Sequence, residues 1–271
     1  MFRRSFLASS WWNTPATGVP VDPNSDRYLA NLKATERNDR IGVGVGDWAM
    51  FFGDADHTGP LTTITDQRGK KVALHVPDEV VMMEGNDKAA VFRCRGCDKE
   101  VSVFEYDVRT HRCAGFAAYT LSTTGIAGTP GNAGHRGIPP SSMFIAGMEI
   151  SDGVIRHRLK MAVSSPSDHR LDGRPMPIWP MDGYERGHGS AIPEGAVLRL
   201  RRSAFDRVNP LGAARVVATA ARDYGFIVGE TGGVATVKYQ LNATAPSGLS
   251  KALNAFGFAD YEVLVLGWGK P

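Results

Sequence analysis

Residues 132–163 read NAGHRGIPPSSMFIAGMEISDGVIRHRLKMAV, and this stretch combines glycine, proline and titratable side chains more densely than the rest of the chain. A glycine-flanked loop carries His135 and Arg136, and an apolar segment then runs into His157 and Leu159. Alternation of apolar and polar residues at the end of the stretch favours a strand. We therefore expect the stretch to form the floor of a groove, with His135 on a loop and His157 on a strand.

The composition of the whole chain favours many short strands. Hydrophobic residues make up 42% of the 271 positions and charged residues 22%, which is enough apolar material for a sizeable core. The 31 glycines and 16 prolines favour strands joined by turns over a helical bundle. We predict a mainly β fold in which residues 1–271 form one β-sandwich or jelly-roll-like domain, a size that such domains reach. One α-helix in the C-terminal half and short peripheral helices complete this prediction.

Charge and hydropathy argue against two classes of partner. The formal net charge of +3 is too small to suggest nucleic acid. No apolar run reaches the roughly 18 residues that a membrane span needs. Residues 1–8 lack the apolar core of a signal peptide. We expect no nucleic acid and no membrane span, and we expect the terminal segments to be docked on partner proteins.

The apolar pattern also places the individual elements. Apolar runs bounded by turn residues predict strands, and an apolar face of period 3.6 predicts the main helix over 210–224. Asn209 is expected to cap this helix and Gly225 to stop it. The predicted strands cover 49–52, 72–76, 90–92, 100–108, 155–159, 197–201, 226–228, 234–241 and 261–266. One short helix is predicted to follow the cap residues at 22–26 and to run through residues 31–32, and another is predicted near 249–256.

The three cysteines leave two interpretations open. Cys94 and Cys97, together with His111 and Cys113, have spacings that a zinc site tolerates. However, the strand predicted over 100–108 would separate the two pairs of ligands by roughly 25 Å, at about 3.3 Å per residue. Free thiols or one local disulfide are therefore favoured, and we expect neither a metal ion nor a cofactor.

Two carboxylates stand on the strand predicted over 100–108. Glu105 and Asp107 are two residues apart, so a strand would present both on one face. This face is either the solvated end of the strand or a groove-facing pair for acid–base chemistry and for binding sugar hydroxyls. Asp47 follows a valine–glycine alternation typical of a strand edge that a ligand approaches, and it is a candidate binding residue.

The histidines supply the remaining candidate chemistry. His135 or His157 with Glu105 would form a general acid–base pair, and Arg136 would neutralise a uronic acid or phosphate group. Structural roles compete with these: a hydrogen-bonded core histidine for His157, a loop-stabilising side chain for His135, and a tie to a carboxylate for Arg136. Further substrate-binding candidates, on a neighbouring strand and on aromatic-rich loops, are Tyr119, Trp179 and His188.

A series of short motifs occurs in order along nearly the whole chain: DPNS at 22–25, GDW at 46–48, FEY at 104–106, GHRG at 134–137, IRHRL at 155–159, IPEG at 192–195, and ARV through DYG over 214–225. This order resembles a family of largely uncharacterised β-rich proteins from actinobacteria and other soil bacteria, with relatives among minor tail proteins of mycobacteriophages. The resemblance implies a β-sandwich or jelly-roll-like body. Glu105, His135 and His157 match recurrent polar positions of the family, as does Asp47, and the family supplies no catalytic role for them.

The same resemblance implies a location and a set of partners. Bacterial members of the family are mostly secreted, so a version without a signal segment implies the phage branch and a location in the virion tail, with an extracellular location as the alternative. The implied partners are other phage tail proteins and cell-envelope polysaccharide, in an oligomeric tail assembly.

Two hypotheses for function follow. The first is a structural minor tail protein that contacts the glycan of the host envelope. The alternative is a polysaccharide lyase or glycoside hydrolase that uses Glu105, His135 and His157, which requires these side chains to meet at one site. No Gly-x-Ser-x-Gly or His-Glu-x-x-His motif occurs, which argues against serine hydrolases and zinc proteases.

Overall fold

The computed structural model describes residues 5–46, 49–55, 59–82, 87–167, 170–171, 174–175, 177–185 and 192–271. The strands in this part of the chain are β1 Gly42–Gly44, β2 Phe51–Asp54, β3 Leu61–Asp66, β4 Lys71–His75, β5 Ala90–Cys94, β6 Lys99–Phe104, β7 Arg112–Cys113, β8 Gly115–Thr120, β9 Leu159–Val163, β10 Arg170–Leu171, β11 Arg174–Pro175, β12 Val197–Leu200, β13 Phe226–Thr231, β14 Thr236–Lys238 and β15 Tyr261–Val263. The α-helices are α1 Ser25–Thr35, α2 Gly147–Ser151, α3 Arg202–Val208 and α4 Gly212–Asp223. Thirteen of these strands form sheets of six, four and three strands, and β10 pairs with β11 separately.

The largest sheet has the strand order β1-β14-β9-β13-β12-β15 and mixes parallel with antiparallel pairs. Side chains along a strand point alternately to opposite faces. On one face Met161 and Val237 share a core with Val217 of α4. Lys160 and Lys238 occupy the intervening positions of β9 and β14, so they face the other side. The sheet therefore has one apolar, helix-covered face and one face that carries charges.

The four-stranded sheet, ordered β2-β5-β6-β8, lies over the charged face of the six-stranded sheet. Phe52 and Val91 of this second sheet share an apolar core with Ile227 of the first. Its opposite face shares a core with the three-stranded sheet β4-β3-β7, through residues such as Phe92 and Leu74. Two sheets that face each other across an apolar core form a sandwich-like body. The predicted mainly β fold class is confirmed.

The main helix, α4, lies inside the predicted span 210–224, but its predicted cap was wrong. Leu211 is the residue before the first turn of α4, whereas Asn209 ends α3 with a φ of +46°. Asparagine tolerates this left-handed conformation better than most residues, which suits it to the end of a helix. Gly225 follows α4 with a φ of +80°, as its predicted role as a stop requires. The sequence predicts neither α2 nor α3.

Several predicted elements are shorter in the structure. β6 ends at Phe104, because Glu105 has a φ of +49° and its N–H donates to the carbonyl oxygen of Asp87 at 2.7 Å. β9 begins at Leu159, so His157 lies in the bend before the strand and not on it. The helix predicted near 249–256 contains the 3-10 turn Leu249–Lys251, and the strand predicted over 234–241 is reduced to β14.

Both terminal segments pack on the body of the chain. The Arg158 guanidinium lies 3.7 Å from the centroid of the Trp11 ring and 5.0 Å from that of Trp268. Trp11 Nε1 also donates to the carbonyl oxygen of Trp268 at 3.1 Å. Nearer the start of the chain, the Ser5 hydroxyl donates to the buried Glu100 carboxylate at 2.7 Å. These contacts fix both segments to the chain itself, while their docking on partner proteins stays a prediction.

The cysteines form a local disulfide between Cys94 and Cys97 in the turn that joins β5 to β6, and Cys113 is a buried free thiol. The zinc alternative thus loses two of its ligands. Within the described residues, no group of three or more His, Cys, Asp or Glu side chains is arranged to hold a metal ion. Of the helices in these same ranges, none combines the length and apolar character that crossing a bilayer requires.

Candidate functional site

A cavity of about 520 Å³ opens between the six-stranded and the four-stranded sheets. Sites for small molecules typically have volumes of roughly 300–1,000 Å³. Ser102, Phe104 and Ala117 of the four-stranded sheet line one wall, and Glu230 and Lys238 of the six-stranded sheet line the other. Thr231 of β13 adds a hydroxyl to this second wall. The other polar lining comes from the connecting segments: Asp87, His135, Arg136 and Glu185.

The loop 134–137 reaches the cavity through an unusual backbone conformation. Its four consecutive residues all have positive φ: Gly134 at +102°, His135 at +46°, Arg136 at +54° and Gly137 at +88°. Glycine is also needed for space, since a Cβ on Gly137 would lie 2.8 Å from the carbonyl oxygen of Pro180. The left-handed conformation costs a non-glycine residue about 1–2 kcal/mol. Backbone strain of this kind concentrates at functional sites. Here the strained loop places the imidazole of His135 and the guanidinium of Arg136 at the edge of the cavity.

A row of charged side chains crosses the cavity side of the six-stranded sheet. Lys160 Nζ donates to Glu230 Oε2 at 2.6 Å, and Lys238 Nζ lies 3.8 Å from the same oxygen. Burial alone would raise the pKa of Glu230, but the two ammonium groups hold this pKa well below its usual value. Burial lowers the pKa of Lys160, and the Glu230 carboxylate opposes that effect. Glu230 is therefore ionised at neutral pH.

Lys160 also determines the protonation of His135. Lys160 Nζ lies 3.4 Å from His135 Nε2. An ammonium group only donates hydrogen bonds, so Nε2 must be the acceptor. Burial, with the positive charge of Lys160, holds the pKa of His135 well below its usual value. His135 is therefore a neutral imidazole that carries its proton on Nδ1.

Arg136 is already paired with carboxylates of the protein. Its Nη1 lies 2.7 Å from Glu185 Oε1 and 3.3 Å from Glu194 Oε1. Burial raises the pKa of Glu194, whose other oxygen accepts the backbone N–H of Glu185 at 2.8 Å. Glu185 in turn accepts the N–H of Thr231 at 2.8 Å. The guanidinium of Arg136 is thus already neutralised by Glu185 and Glu194. A uronic acid or phosphate group would have to compete with these two carboxylates for it.

His157 forms a buried ion pair and does not line the cavity. Its Nε2 lies 2.9 Å from Glu149 Oε1, and its Nδ1 lies 3.0 Å from the carbonyl oxygen of Arg158. Both partners only accept, so both ring nitrogens carry protons and the ring is an imidazolium. Burial alone would lower the pKa of His157, but Glu149 raises it above its usual value. His157 is therefore a hydrogen-bonded core histidine, which is the structural role expected as the alternative to catalysis.

Glu105 does not meet the two histidines. It is exposed in the turn after β6, and it is not among the described residues that line the cavity. Asp107 accepts the N–H of Arg109 at 2.8 Å in the following turn, so the predicted strand face with two carboxylates is not formed. Of the three predicted catalytic side chains, the structure brings His135 alone to the cavity.

The predicted substrate-binding residues do not all lie at the cavity. Arg136 lines the cavity. Tyr119 is buried in β8 and supports the loop 134–137 from behind, because its hydroxyl donates to the carbonyl oxygen of Gly134 at 3.2 Å. Trp179 packs edge-on against Trp11 with ring centroids 5.5 Å apart. The two remaining candidates, Asp47 and His188, lie outside the described residues.

Sequence reasoning missed three charged residues of this region: Lys160, Glu230 and Lys238. The two lysines stand between apolar neighbours within strands, in the runs LKM at 159–161 and VKY at 237–239. Lysine and glutamate are almost never fully buried unless they are paired. Charged residues inside otherwise apolar strands are therefore the signal that could have revealed this wall of the cavity.

Comparisons of the chain with protein-family models, with curated proteins and with solved structures find no match. The functional assignment therefore rests on the geometry of the cavity, and the resemblance to tail proteins stays an expectation.

Proposed function

We propose that the protein is a minor component of a bacteriophage tail that contacts the glycan of the host cell envelope, with the cavity between the two sheets as the glycan-binding site. The cavity is the observation that carries this proposal. Its volume of about 520 Å³ suits a short stretch of oligosaccharide. It is concave, it lies between rigid sheets, and it combines hydrogen-bonding groups with apolar surface.

The polar lining matches the chemistry of sugars. A sugar hydroxyl both donates and accepts hydrogen bonds, so it needs acceptors and donors at close range. Glu230 and Glu185 supply carboxylate acceptors, Lys238 supplies a donor, and the Ser102 hydroxyl supplies both. Such convergent polar groups orient a ligand in a pocket.

Aromatic surface is available beside these groups. Phe104 lines the cavity at the end of β6 and remains 44% exposed. The carbon-bound hydrogens of a sugar ring form an apolar face, and packing this face on an aromatic ring removes both surfaces from water. A large exposed aromatic side chain at the opening of a polar cavity therefore supports glycan binding.

The tail setting is proposed from the motif series that runs through the chain, from DPNS at 22–25 to DYG at 223–225. Other tail proteins are the partners that this setting supplies, and an oligomeric assembly would present several cavities to one polymer. Detection of the chain by mass spectrometry in purified phage particles tests the setting independently of binding.

The enzyme alternative lacks the arrangement that it needs. A lyase or hydrolase built on Glu105, His135 and His157 requires a shared site, whereas Glu105 is exposed in a turn and His157 is held by Glu149. Binding without cleavage is therefore the function that the geometry supports best. Incubation with arabinogalactan should release no new reducing ends.

Isothermal titration calorimetry with arabinogalactan fragments tests the binding site. Phe104→Ala should weaken binding about tenfold, which corresponds to about 1.4 kcal/mol. The matched control is Leu61→Ala, which truncates an apolar side chain that is 66% exposed and is not in the cavity lining. Loss of affinity in both variants alike, or no binding by the wild type, would contradict the proposal.

A further inference from the structure

The cations around the cavity are already paired. Lys160 lies 2.6 Å and Lys238 3.8 Å from Glu230 Oε2, and Arg136 lies 2.7 Å from Glu185. Lys238 and Arg136 are the lysine and arginine among the described lining residues, and Lys160 stands behind the lining. A ligand that enters the cavity therefore meets each positive charge together with a carboxylate.

The charges that line the cavity sum to a negative value. Three carboxylates face two cations, since His135 is neutral, and the sum is 2 − 3 = −1. The residues in this sum are Asp87, Glu185, Glu230, Arg136 and Lys238. Lys160 and Glu194 stand behind the lining and add one charge of each sign, so they leave the sum unchanged.

The arrangement disfavours an anionic ligand. A carboxylate or phosphate on a sugar would have to share Lys238 or Arg136 with the acid already bound to it, and like charges at close range repel. Displacing Glu230 from Lys160 would also leave a buried carboxylate without its partner, which is costly. An uncharged hydroxyl meets no such conflict, because it can donate to Glu230 and accept from Lys238 at the same time.

We infer that the cavity selects neutral sugars, such as uncharged pyranose or furanose oligosaccharides, and that Glu230 is the residue that excludes acidic ones. This inference rests on the proposed function and names the ligand class of that same cavity. Glu185 and Asp87 act in the same sense from the loop side. The paired lysines keep Glu230 ionised, so the exclusion of anions persists through the neutral range of pH.

The test compares two probes of equal length, a neutral arabinogalactan-derived oligosaccharide and an oligogalacturonate, by titration calorimetry at low ionic strength. The wild type should bind the neutral probe at least tenfold more tightly. Glu230→Gln keeps the shape of the side chain and removes its charge, so the preference should fall by tenfold or more. Asp87→Asn is a milder second variant, should Glu230→Gln fail to fold, and it should shift the preference in the same direction by a smaller factor.

The control variant is Glu79→Gln, which removes an exposed charge that is not in the cavity lining and should leave the preference unchanged. Equal or tighter binding of oligogalacturonate by the wild type overturns the inference alone. An unchanged preference in folded Glu230→Gln overturns the role of that residue. Binding of neither probe overturns the proposed function, and the inference falls with it.

Discussion

Replacing Glu149 with glutamine should make the stability difference from the wild type depend strongly on pH, because the substitution changes the protonation of His157. In the wild type, Glu149 accepts from Ala146 N–H at 3.0 Å and from His157 Nε2 at 2.9 Å. A glutamine at this position has one acceptor oxygen and one donor amide. It satisfies both neighbours if its oxygen accepts from Ala146 and its amide donates to an unprotonated Nε2. The variant therefore favours a neutral His157.

The magnitude follows from linkage between protonation and folding. In the wild type, Glu149 raises the pKa of His157, so this contribution to stability is fully present below the unfolded pKa of about 6.5 and is lost as pH rises through the folded pKa. In Glu149→Gln the buried neutral ring has a lowered pKa, so the variant loses stability as pH falls below about 6.5. The stability difference should grow by about 1.4 kcal/mol for each pH unit between the two folded-state pKa values.

Urea unfolding of both proteins at several pH values between 5.5 and 8 measures this difference. These pH values lie above the usual titration range of glutamate, so the unfolded chains differ little in the charge at this position. The matched control is Glu105→Gln, which removes an exposed carboxylate and should give a difference near zero at every pH. A penalty for Glu149→Gln that stays constant between pH 8 and 5.5 would refute the imidazolium assignment.

Three further outcomes test other parts of the structure. Gly137→Ala should lower the free energy of unfolding by about 2–4 kcal/mol, because φ is left-handed and neighbouring backbone lies close to the new Cβ. Gly153→Ala should lower it by about 1 kcal/mol, because φ is positive there but the new Cβ has no atom within 4 Å. Both are measured by urea unfolding, and equal penalties would contradict the packing around Gly137. Lys160→Met should raise the pKa of His135, read from NMR titration of the ring, because it removes a neighbouring positive charge, and an unchanged pKa would contradict the contact. Reducing the disulfide between β5 and β6 should lower the free energy of unfolding by about 2 kcal/mol, because the disulfide closes only a short loop. Comparing the urea midpoints measured with and without reductant tests this.

The part of the fold that the sequence predicts is the part with strong periodicity. The apolar face of α4 and the apolar runs of β12 and β13 identify these elements, because a helix buried on one face and strands buried on both faces produce these patterns. The elements that escape prediction are short. α2 has five residues, and α3 buries Ala204 and Phe205, which is too little for a periodic signal. The end of β6 escapes as well, because nothing in the local sequence requires the positive φ of Glu105.

The partner of His157 shows why the site is harder to predict than the fold. Sequence reasoning pairs His157 with Glu105 by assuming that both stand on strands. The actual partner, Glu149, lies eight residues away on α2, inside the stretch that first draws attention. A turn of helix followed by a bend brings the two side chains together, and this geometry depends on tertiary packing of the stretch. Residue types alone indicate that an acid and an imidazole are present, but they do not indicate which pair meets.

The buried charges of the cavity wall argue for function on energetic grounds. Removing Lys160 and Glu230 from water carries a desolvation cost that their mutual attraction only partly offsets, and apolar residues of similar size would often stabilise a fold as well or better. Ile227 pairs with Lys160 in register and lies on the same face of the sheet, where it is apolar and buried, so this face tolerates an apolar residue. Selection for stability alone gives no reason to keep a lysine and a glutamate facing each other at this point. A ligand whose hydroxyls bind Glu230 supplies that reason, because Glu230 lines the cavity and Lys160, behind the lining, keeps its carboxylate ionised.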